Sequence, residues 1–290
     1  MMLFETSHLT YRYDRLTAIE DLNISIAEGS RVALVGANGS GKSTLLRILD
    51  GLYFAQEGTL RFRGEELTEE RFADDAFAFS FRRQVGLVFQ NPDVQLFNPT
   101  VFDEVAFGPL QLRWPKAEVR ERVGETLDRF GIAHLKDRVP HRLSGGEQKR
   151  VALASVLVLD PAVLLLDEPT AALDPRSQSR MIDLLVEWGG GAKSVITATH
   201  NLADLEDIAD RCLVLDGGPV VADGTPAEIL RDRELLERTN LVHAHRHRHR
   251  SGEMHSHPHV HAPGEESEHV HEHAIGDLHE HAAELHEHAH

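Results

Sequence analysis

Hydrophobic and polar positions along the first 240 residues form blocks that predict both strands and helices. Residues 31–35, RVALV, are a short apolar run between glycines and predict a buried strand. Residues 43–52 continue with a helical pattern, and residues 117–130 place apolar side chains at helical spacing between charges. AVLLL at 162–166 and SVITA at 194–198 predict buried parallel strands. The pattern predicts an α/β domain with its sites where the parallel strands end.

Residues 241–290 differ from the rest of the chain in composition. They hold 16 of the 20 histidines and no Phe, Tyr or Trp. A segment so poor in large apolar residues buries too little surface to offset the entropy of ordering it. We therefore expect a folded domain at 1–240 and a His-rich, low-complexity tail at 241–290 that is disordered unless a ligand organises it.

Charge and cysteine content restrict the partners and the compartment. The chain has 30 Lys and Arg against 47 Asp and Glu, a net charge of −17, which disfavours nucleic acid as a partner. Cys212 alone forms no internal disulfide, and the first residues lack a signal-peptide pattern, so we expect a cytoplasmic protein. No stretch reaches the roughly 18 uncharged apolar residues of a spanning helix. Any role at a membrane is then expected at its surface.

A glycine-rich segment between the first buried strand and its helix matches the phosphate-loop pattern G-x-x-x-x-G-K-[ST]. Its residues are Gly36, Ala37, Asn38, Gly39, Ser40, Gly41, Lys42, Ser43 and Thr44. Glycines allow backbone N–H groups to turn inward around phosphate oxygens, and the helix adds its positive end. Lys42 would reach the β- and γ-phosphates, and the Ser43 hydroxyl would ligate Mg²⁺. The alternative is a turn that binds nothing, which the strand and helix on either side disfavour.

Two carboxylates follow the apolar run at 162–166. Asp167 would hold Mg²⁺ through water, and Glu168 would orient and deprotonate an attacking water. Adjacent carboxylates at a strand end are otherwise ordinary exposed charges. The phosphate loop elsewhere in the same domain favours the catalytic interpretation.

Residues 143–150, LSGGEQKR, resemble the signature motif of the ATP-binding-cassette (ABC) ATPases. The resemblance covers nearly all of residues 1–240. It implies a P-loop NTPase cassette with a mixed sheet core, an antiparallel β subdomain and an inserted helical subdomain at about 92–160. It also implies an ATP-hydrolysing subunit of a membrane transporter, peripheral on the cytoplasmic face of the membrane.

The same resemblance assigns roles to residues outside the phosphate loop. Gln90 matches the glutamine that senses Mg²⁺ and contacts the membrane partner, and residues 172–175 match the D-loop. His200 matches the switch histidine near the γ-phosphate. Tyr13 matches the aromatic residue that stacks on adenine, although Tyr11 is close enough to take that place. A structural histidine and an ordinary strand aromatic are the alternatives for these positions.

Ser144, Gly145 and Gly146 precede a predicted helix and offer a hydroxyl, N–H groups and a helix N-terminus to an anion. In the family that anion is the γ-phosphate held by the opposite protomer, so two cassettes close over two ATP molecules. One copy of each motif makes a homodimer the simplest assembly. A heterodimer with a paralogous cassette stays open.

Residues 90–109, QNPDVQLFNPTVFDEVAFGP, are similar to the segment after the same glutamine in the ATPases of energy-coupling-factor transporters. Those transporters import vitamins and transition-metal ions. The resemblance implies a membrane-embedded coupling subunit and a substrate-binding subunit as partners. Phe97, Val101, Phe102 and Phe107 would form a docking groove or fill the core of the helical subdomain.

The tail histidines alternate with other residues in HxH ladders. In an extended chain residues two apart project to one side, and neutral imidazole suits Ni²⁺, Co²⁺, Zn²⁺ and Cu²⁺. The predicted transition-metal ligands are His243, His245, His247, His249, His255, His257, His259, His261, His269, His271 and His273. The alternatives are an appended purification tag and a solvated or pH-responsive low-complexity tail.

Cassette type and tail together favour the ATPase of a nickel or cobalt importer that uses ATP and Mg²⁺. A zinc or manganese importer and a vitamin energy-coupling-factor transporter are alternatives within the same class. A soluble ABC protein acting on DNA or ribosomes is disfavoured by the single motif set. A metal-storage or chaperone protein with a vestigial ATPase core is opposed by the intact Lys42, Asp167, Glu168 and His200.

Overall fold

The computed structural model describes residues 1–189, 192–248 and 254–259. Its strands are β1 Met2–Tyr13, β2 Leu16–Leu22, β3 Ser25–Ala27, β4 Arg31–Val35, β5 Glu57–Phe62, β6 Glu65–Glu66, β7 Val85–Val88, β8 Val163–Asp167, β9 Ser194–Thr199, β10 Arg211–Leu215, β11 Val220–Gly224, β12 His243–Arg248 and β13 Met254–His259. Its α-helices are α1 Lys42–Leu49, α2 Glu69–Phe72, α3 Asp75–Gln84, α4 Val101–Gln111, α5 Lys116–Arg129, α6 Gly145–Leu157, α7 Pro175–Trp188, α8 Leu205–Ile208, α9 Pro226–Arg231 and α10 Arg233–Arg238. Short 3₁₀ turns lie at Pro92–Val94, Ala133–Leu135 and Pro140–Arg142.

The central sheet has six strands in the order β11-β10-β4-β9-β8-β7. All neighbours are parallel except β11, which pairs antiparallel with β10 at one edge. Strands β8 and β9 are buried along their whole length, as expected for strands covered on both faces. The predicted mixed sheet is confirmed. Because these strands are parallel, the carboxyl ends of β4, β8 and β9 lie at the same edge.

A second, antiparallel sheet has the order β2-β1-β5-β6, with β3 paired to β1. Aromatic rings pack beneath it: the Phe62 ring centroid lies 5.2 Å from that of Phe4 and 5.2 Å from that of Phe81. Buried leucines of α1, among them Leu45 and Leu49, belong to the same apolar cluster. Helix α1 therefore packs between the central sheet, on β8 and β9, and strand β2 of the antiparallel sheet.

Helix α1 ends three residues before the end of the predicted helical segment. It runs to Leu49, Asp50 caps it, and Gly51 follows with φ of +67°. A glycine in the left-handed region after the last turn is a common helix terminator, because it lacks the Cβ that makes this conformation costly.

Helices α4, α5 and α6 lie between β7 and β8, inside the interval where the sequence predicts a helical insertion. The four apolar residues of the possible docking groove divide into two pairs. Val101 is fully buried and Phe102 packs against the same core. Phe97 is 62% exposed and Phe107 38% exposed, and their ring centroids are 4.9 Å apart. Within α4, helix phase separates Val101 from Phe107, since one face of the helix packs on α5 and α6 while the other faces solvent, and Phe97 lies in the loop before the helix.

Part of the His-rich tail forms an antiparallel ribbon. Strand β12 pairs with β13, and the backbone partners are His243 with His259, Ala244 with Pro258, His245 with His257, Arg246 with Ser256, His247 with His255 and Arg248 with Met254. Composition predicts a tail that is disordered unless a ligand organises it, and this stays a prediction, because a ribbon of two strands alone is at most marginally stable in water. Residues 249–253 and 260–290 lie outside the described residues.

In the ranges that the structure describes, no helix combines the length and the apolar character needed to cross a bilayer.

Candidate functional site

The phosphate loop, residues 36–44, connects β4 to α1 at the edge where the parallel strands end. Gly41 has φ of +106°, and a Cβ there would lie 2.4 Å from the carbonyl oxygen of Ala18. A Cβ at Gly36 would lie 2.5 Å from the carbonyl oxygen of Leu215. Neither position accepts a side chain, so both glycines let the loop backbone pack closely against its neighbours.

The first turn of α1 carries positive charge. Its N-cap residue is Gly41, which has no side chain to satisfy the first N–H groups, and the turn contains no acidic residue. The Lys42 ammonium donates to two loop carbonyls, including that of Gly36 at 2.6 Å. Burial lowers the pKa of Lys42, while Glu168 and Asp167 act in the opposite direction. The arrangement suits a polyanion such as a phosphate chain.

A hydroxyl and a carboxylate meet beside the loop. The Ser43 Oγ donates to Oδ1 of Asp167 at 2.9 Å, and Asp167 is the last residue of β8 and 5% exposed. Burial raises the pKa of Asp167; the Ser43 hydrogen bond and the charges of Arg47 and Lys42 oppose that rise. Neighbouring hydroxyl and carboxylate oxygens are hard donors of the kind that Mg²⁺ prefers.

Glu168 follows in a strained turn. Its backbone has φ of +49°, and its N–H donates to the carbonyl oxygen of Ala198 in β9 at 2.9 Å. The left-handed region costs an L-residue roughly 1–2 kcal/mol, and strain of this kind concentrates at functional sites. Oε1 of Glu168 lies 2.7 Å from Nδ1 of His200. The two side chains, 32 residues apart in sequence, therefore form one pair with Glu168 buried and His200 half-exposed.

Three tyrosines cluster next to the loop. Tyr11 stacks on Tyr53 with ring centroids 5.3 Å apart, and Tyr13 meets both rings edge-on. The Tyr13 hydroxyl lies 3.3 Å from Oγ1 of Thr44. Tyr13 lines the cavity at the loop, whereas Tyr11 packs against the main core. Sequence reasoning missed Tyr53, because nothing in its local pattern indicates contact with β1.

The loop, Tyr13, Gln90 and Glu168 line one cavity of about 460 Å³. Its lining residues are Tyr13, Leu16, Thr17, Ala18, Asn38, Gly39, Gly41, Lys42, Ser43, Thr44, Gln90 and Glu168. This volume falls in the roughly 300–1,000 Å³ range of small-molecule pockets. Inside the loop, the buried Ser40 hydroxyl has no hydrogen-bond partner among the described residues. The cationic phosphate loop favours anions, the oxygens of Ser43 and Asp167 suit Mg²⁺, and Tyr13 offers an aromatic ring. Together these features fit a nucleotide with its Mg²⁺ ion.

Ser144, Gly145 and Gly146 do not line this cavity. At the N-terminus of α6, the Glu147 carboxylate accepts from the Ser144 backbone N–H at 2.8 Å and from its hydroxyl at 2.7 Å. These hydrogen bonds lower the pKa of Glu147. Ser144 and Gly145 are exposed, so the signature segment presents its helix N-terminus to solvent.

Two polar residues that the sequence did not single out connect segments of the site. The Gln95 amide donates to the carbonyl oxygen of Ala152 in α6 at 2.8 Å and accepts from the N–H of Phe89 at 3.3 Å. Lys149, also in α6, donates to three carbonyls of residues 168–171. Polar side chains in loops and on helices are usually solvated, so the sequence carries no signal for either set of contacts.

The predicted metal ligands of the tail divide between described and undescribed residues. His243, His245, His247, His255, His257 and His259 lie in β12 and β13. His249, His261, His269, His271 and His273 lie outside the described residues. Among the side chains that the structure describes, no group of three or more potential ligands could hold a metal ion.

Comparison with known proteins gives consistent matches. The family model described as ABC transporter matches residues 19–171. The nickel import ATP-binding protein NikO of Rhodobacter capsulatus is 52% identical over 242 residues, 82% of this chain and 95% of that protein. The energy-coupling factor transporter ATP-binding protein EcfA of Methanothermobacter thermautotrophicus is 42% identical over 82% of this chain and 76% of its own. The structure of cbiO1 from Clostridium perfringens, part of the ABC transporter complex cbiONQ, superposes with a TM-score of 0.70 at 37% identity, covering 83% of this chain and 95% of that one.

Proposed function

Because the chain belongs to the ABC transporter family and is an ATPase subunit coupled to transport, we propose that it energises uptake of nickel or cobalt ions. The observation that carries this proposal is the 52% identity to a nickel import ATPase across 82% of the chain. The His-rich tail supports a transition-metal cargo independently, because it rests on ligand type rather than on similarity.

The cavity at the phosphate loop would hold ATP. Tyr13 would stack on the adenine, and Lys42 with the α1 N-terminus would bind the β- and γ-phosphates. Ser43 and Asp167, with Gln90 nearby, would hold Mg²⁺, which supplies positive charge against the phosphate oxygens. The hydrogen bond of 2.9 Å between the Ser43 hydroxyl and the Asp167 carboxylate supports this assignment, because it shows that the two oxygens are neighbours.

Glu168 would accept a proton from the water that attacks the γ-phosphate. Its carboxylate is buried, lines the cavity and contacts His200 at 2.7 Å. We infer that His200 fixes the direction of this carboxylate and lies close to the terminal phosphate. Positioning of the base and the water contributes much of the rate enhancement in phosphoryl transfer.

Two cassettes would combine to complete each site. In the single chain Ser144, Gly145 and Gly146 lie outside the cavity with their helix N-terminus exposed. A head-to-tail pair would bring that positive helix end to the γ-phosphate bound by the other cassette. A second copy of this chain is the simplest partner, and a paralogous cassette is the alternative.

The membrane partner would dock on the surface after Gln90. Phe97 and Phe107 form an exposed aromatic pair there, and such pairs often belong to interfaces. We infer that a membrane-embedded coupling subunit covers this pair and that a separate membrane subunit selects the substrate. The chain would then sit on the cytoplasmic face of the membrane as a peripheral subunit.

The tail would bind Ni²⁺, Co²⁺ or Zn²⁺ and collect or buffer the arriving cargo. In the ribbon every histidine position of β12 is opposite a histidine position of β13. Directly opposed residues have Cβ atoms about 4.5–5.5 Å apart, and alternate residues share a face, so six histidine positions fall on one face. A register slipped by one residue would oppose histidines to other residues, so this pairing supports a metal-binding role.

Uptake of Ni²⁺, Co²⁺, Zn²⁺ and Mn²⁺ by the native host tests the proposed cargo. Cells with the intact chain are compared with cells carrying Glu168→Gln at matched expression. We expect selective loss of Ni²⁺ or Co²⁺ accumulation in the variant. Selective loss of Zn²⁺ or Mn²⁺ uptake would favour a conventional importer. Unchanged uptake of all four ions would contradict a metal cargo and favour a vitamin transporter.

A storage or chaperone protein with an inactive ATPase core predicts a different result. In that case the purified chain would bind metal but hydrolyse ATP no faster than Glu168→Gln.

A further inference from the structure

Lys149 makes three contacts that the ATPase chemistry described above does not use. It lies in the second turn of α6, the helix that begins with the signature segment. Its Nζ donates to the carbonyl oxygens of Glu168 at 3.2 Å, Pro169 at 3.3 Å and Ala171 at 2.5 Å. An ammonium group has three donors and no acceptor, so these three carbonyls match its hydrogen-bonding capacity.

The carbonyls belong to a strained turn. Glu168 has φ of +49° and Ala172 has φ of +58°, both in the left-handed region that L-residues rarely adopt. Such residues persist where their surroundings hold them in place. Lys149 of α6 donates to carbonyls along this turn, from Glu168 to Ala171, and the Glu168 N–H donates to the carbonyl oxygen of Ala198 in β9.

We propose that Lys149 is a positioning residue that ties α6 to the 168–171 turn, so that the signature segment and the Glu168 carboxylate move as one unit. This inference rests on the proposed role of Glu168 as the base. A nucleotide bound against the signature segment of one cassette would thereby act on the base of that same cassette. The site on each cassette would in this way respond to nucleotide held by the partner cassette.

The charge of Lys149 is compatible with this role. Burial lowers the pKa of Lys149 to about 8, and the negative charge of Glu168 opposes that shift. The side chain is therefore largely protonated at neutral pH and keeps all three donors. A neutral amine would have only two, one fewer than the three carbonyls require.

ATP hydrolysis by the purified full-length chain tests the proposal through Lys149→Met, which keeps the side-chain length and removes the donors. We expect kcat to fall about tenfold or more while KM for ATP stays within about twofold, as for loss of positioning without loss of binding. Lys149→Arg, which retains a cation with several donors, should recover most of kcat. Lys116→Met, at an exposed lysine of α5, is the matched control and should match the parent.

A double-mutant cycle separates positioning from general destabilisation. If Lys149 acts through Glu168, then Lys149→Met should lower the residual single-turnover rate of Glu168→Gln by less than about twofold. An equal fractional loss in both backgrounds would overturn the proposal, as would unchanged kcat in Lys149→Met. Thermal unfolding identifies a misfolded variant, and Lys149→Gln then replaces Lys149→Met in the cycle.

The same data distinguish the two proposals. Full activity of Lys149→Met beside an inactive Glu168→Gln would overturn only the positioning role. Full activity of Glu168→Gln would overturn the role of the base on which it depends.

Discussion

The cassette and the His-rich tail organise their candidate chemistry in different ways. In the cassette, Glu168 and His200 come together from two strand ends, and Ser43 meets Asp167 across 124 residues of sequence. In the tail, the histidine positions lie two residues apart on each strand and are backbone partners across the ribbon. The cassette site depends on the whole α/β fold, whereas the tail pattern is local. Substitutions in the cassette site should therefore leave metal binding by the tail intact, and changes in the tail should leave ATP hydrolysis by the cassette intact.

Glu168→Gln should have the largest effect among the changes that separate ATP turnover by the cassette from metal binding by the tail. Removing the base should lower ATP turnover by about 10²–10³-fold, because the amide cannot accept the proton. Binding of Ni²⁺ by the same purified protein, measured by equilibrium dialysis, should stay within about 20% of the parent, since the tail does not use the base. A parallel loss of metal binding would show that the two regions form one site.

Removing the tail is the reciprocal change. Without residues 243–290 the chain should lose about nine-tenths of its bound Ni²⁺ in the same dialysis, because the six paired positions are lost with it. Turnover of ATP should stay within about twofold. Intact metal binding after the deletion would remove the tail from any account of the cargo.

Within the tail, the effect of strand register on Ni²⁺ affinity can be separated from the effect of histidine content. Asn substitutions at His245 and His257, which are opposed in the ribbon, should be strongly non-additive in Ni²⁺ affinity. His243 and His255 have the same chemistry but are opposed to His259 and His247 rather than to each other, and this pair serves as the matched control. Additive effects in both pairs would show that histidine content alone sets affinity.

A smaller effect is expected at Tyr13, the aromatic residue that lines the cavity of the cassette. Tyr13→Ala should raise KM for ATP by about 5–20-fold, since stacking of a base on an aromatic ring contributes roughly 1–3 kcal/mol. Tyr13→Phe keeps the ring and should stay within about twofold, although it loses the hydroxyl near Thr44. Similar KM values for all three proteins would contradict adenine stacking at this position.

The last prediction concerns the stability of the cassette and its dependence on pH. Asp50, at the end of α1, is buried, which raises its pKa to about 7 against the weaker opposing charge of Arg82. Since the folded pKa exceeds the unfolded value of 3.8, the folded state binds more protons and stability falls as pH rises from about 4 to 7. Asp50→Asn should stabilise the protein by about 2 kcal/mol more at pH 8 than at pH 5.

Denaturant unfolding at the two pH values measures this difference. The exposed Asp128→Asn on α5 is the control, for which no such difference is expected. An equal effect of Asp50→Asn at both pH values would show that the carboxyl is not held protonated in the fold.

Much of the cassette could be predicted from the sequence because its informative patterns are short. Residues 31–35 and 194–198 are apolar runs of strand length, and both are strands in the structure. The phosphate loop is a contiguous motif between a strand and a helix. The family resemblance predicts that Glu168 and His200 belong to one site, and in the structure the two side chains are in contact.

Long-range contacts between ordinary residues could not be predicted in the same way. Lys149 looks like one more cation on a helix, and only the fold brings it to the carbonyls of residues 168–171. The exposure of Phe107 beside the buried Val101 depends on the phase of α4, and that of Phe97 depends on the loop before it; the apolar residues of this segment alone predict neither. In the tail, alternation predicts which histidines share a face but not the strand register.

ATP-driven accumulation of Ni²⁺ in vesicles that contain the chain together with its membrane subunits tests the central claim most directly. ATP is supplied on the side that holds the chain, and Ni²⁺ on the opposite side. We expect transfer of Ni²⁺ toward the chain's side with the parent and none with Glu168→Gln. Transfer that is equal in both, or that requires no ATP, would contradict an ATPase that energises metal uptake.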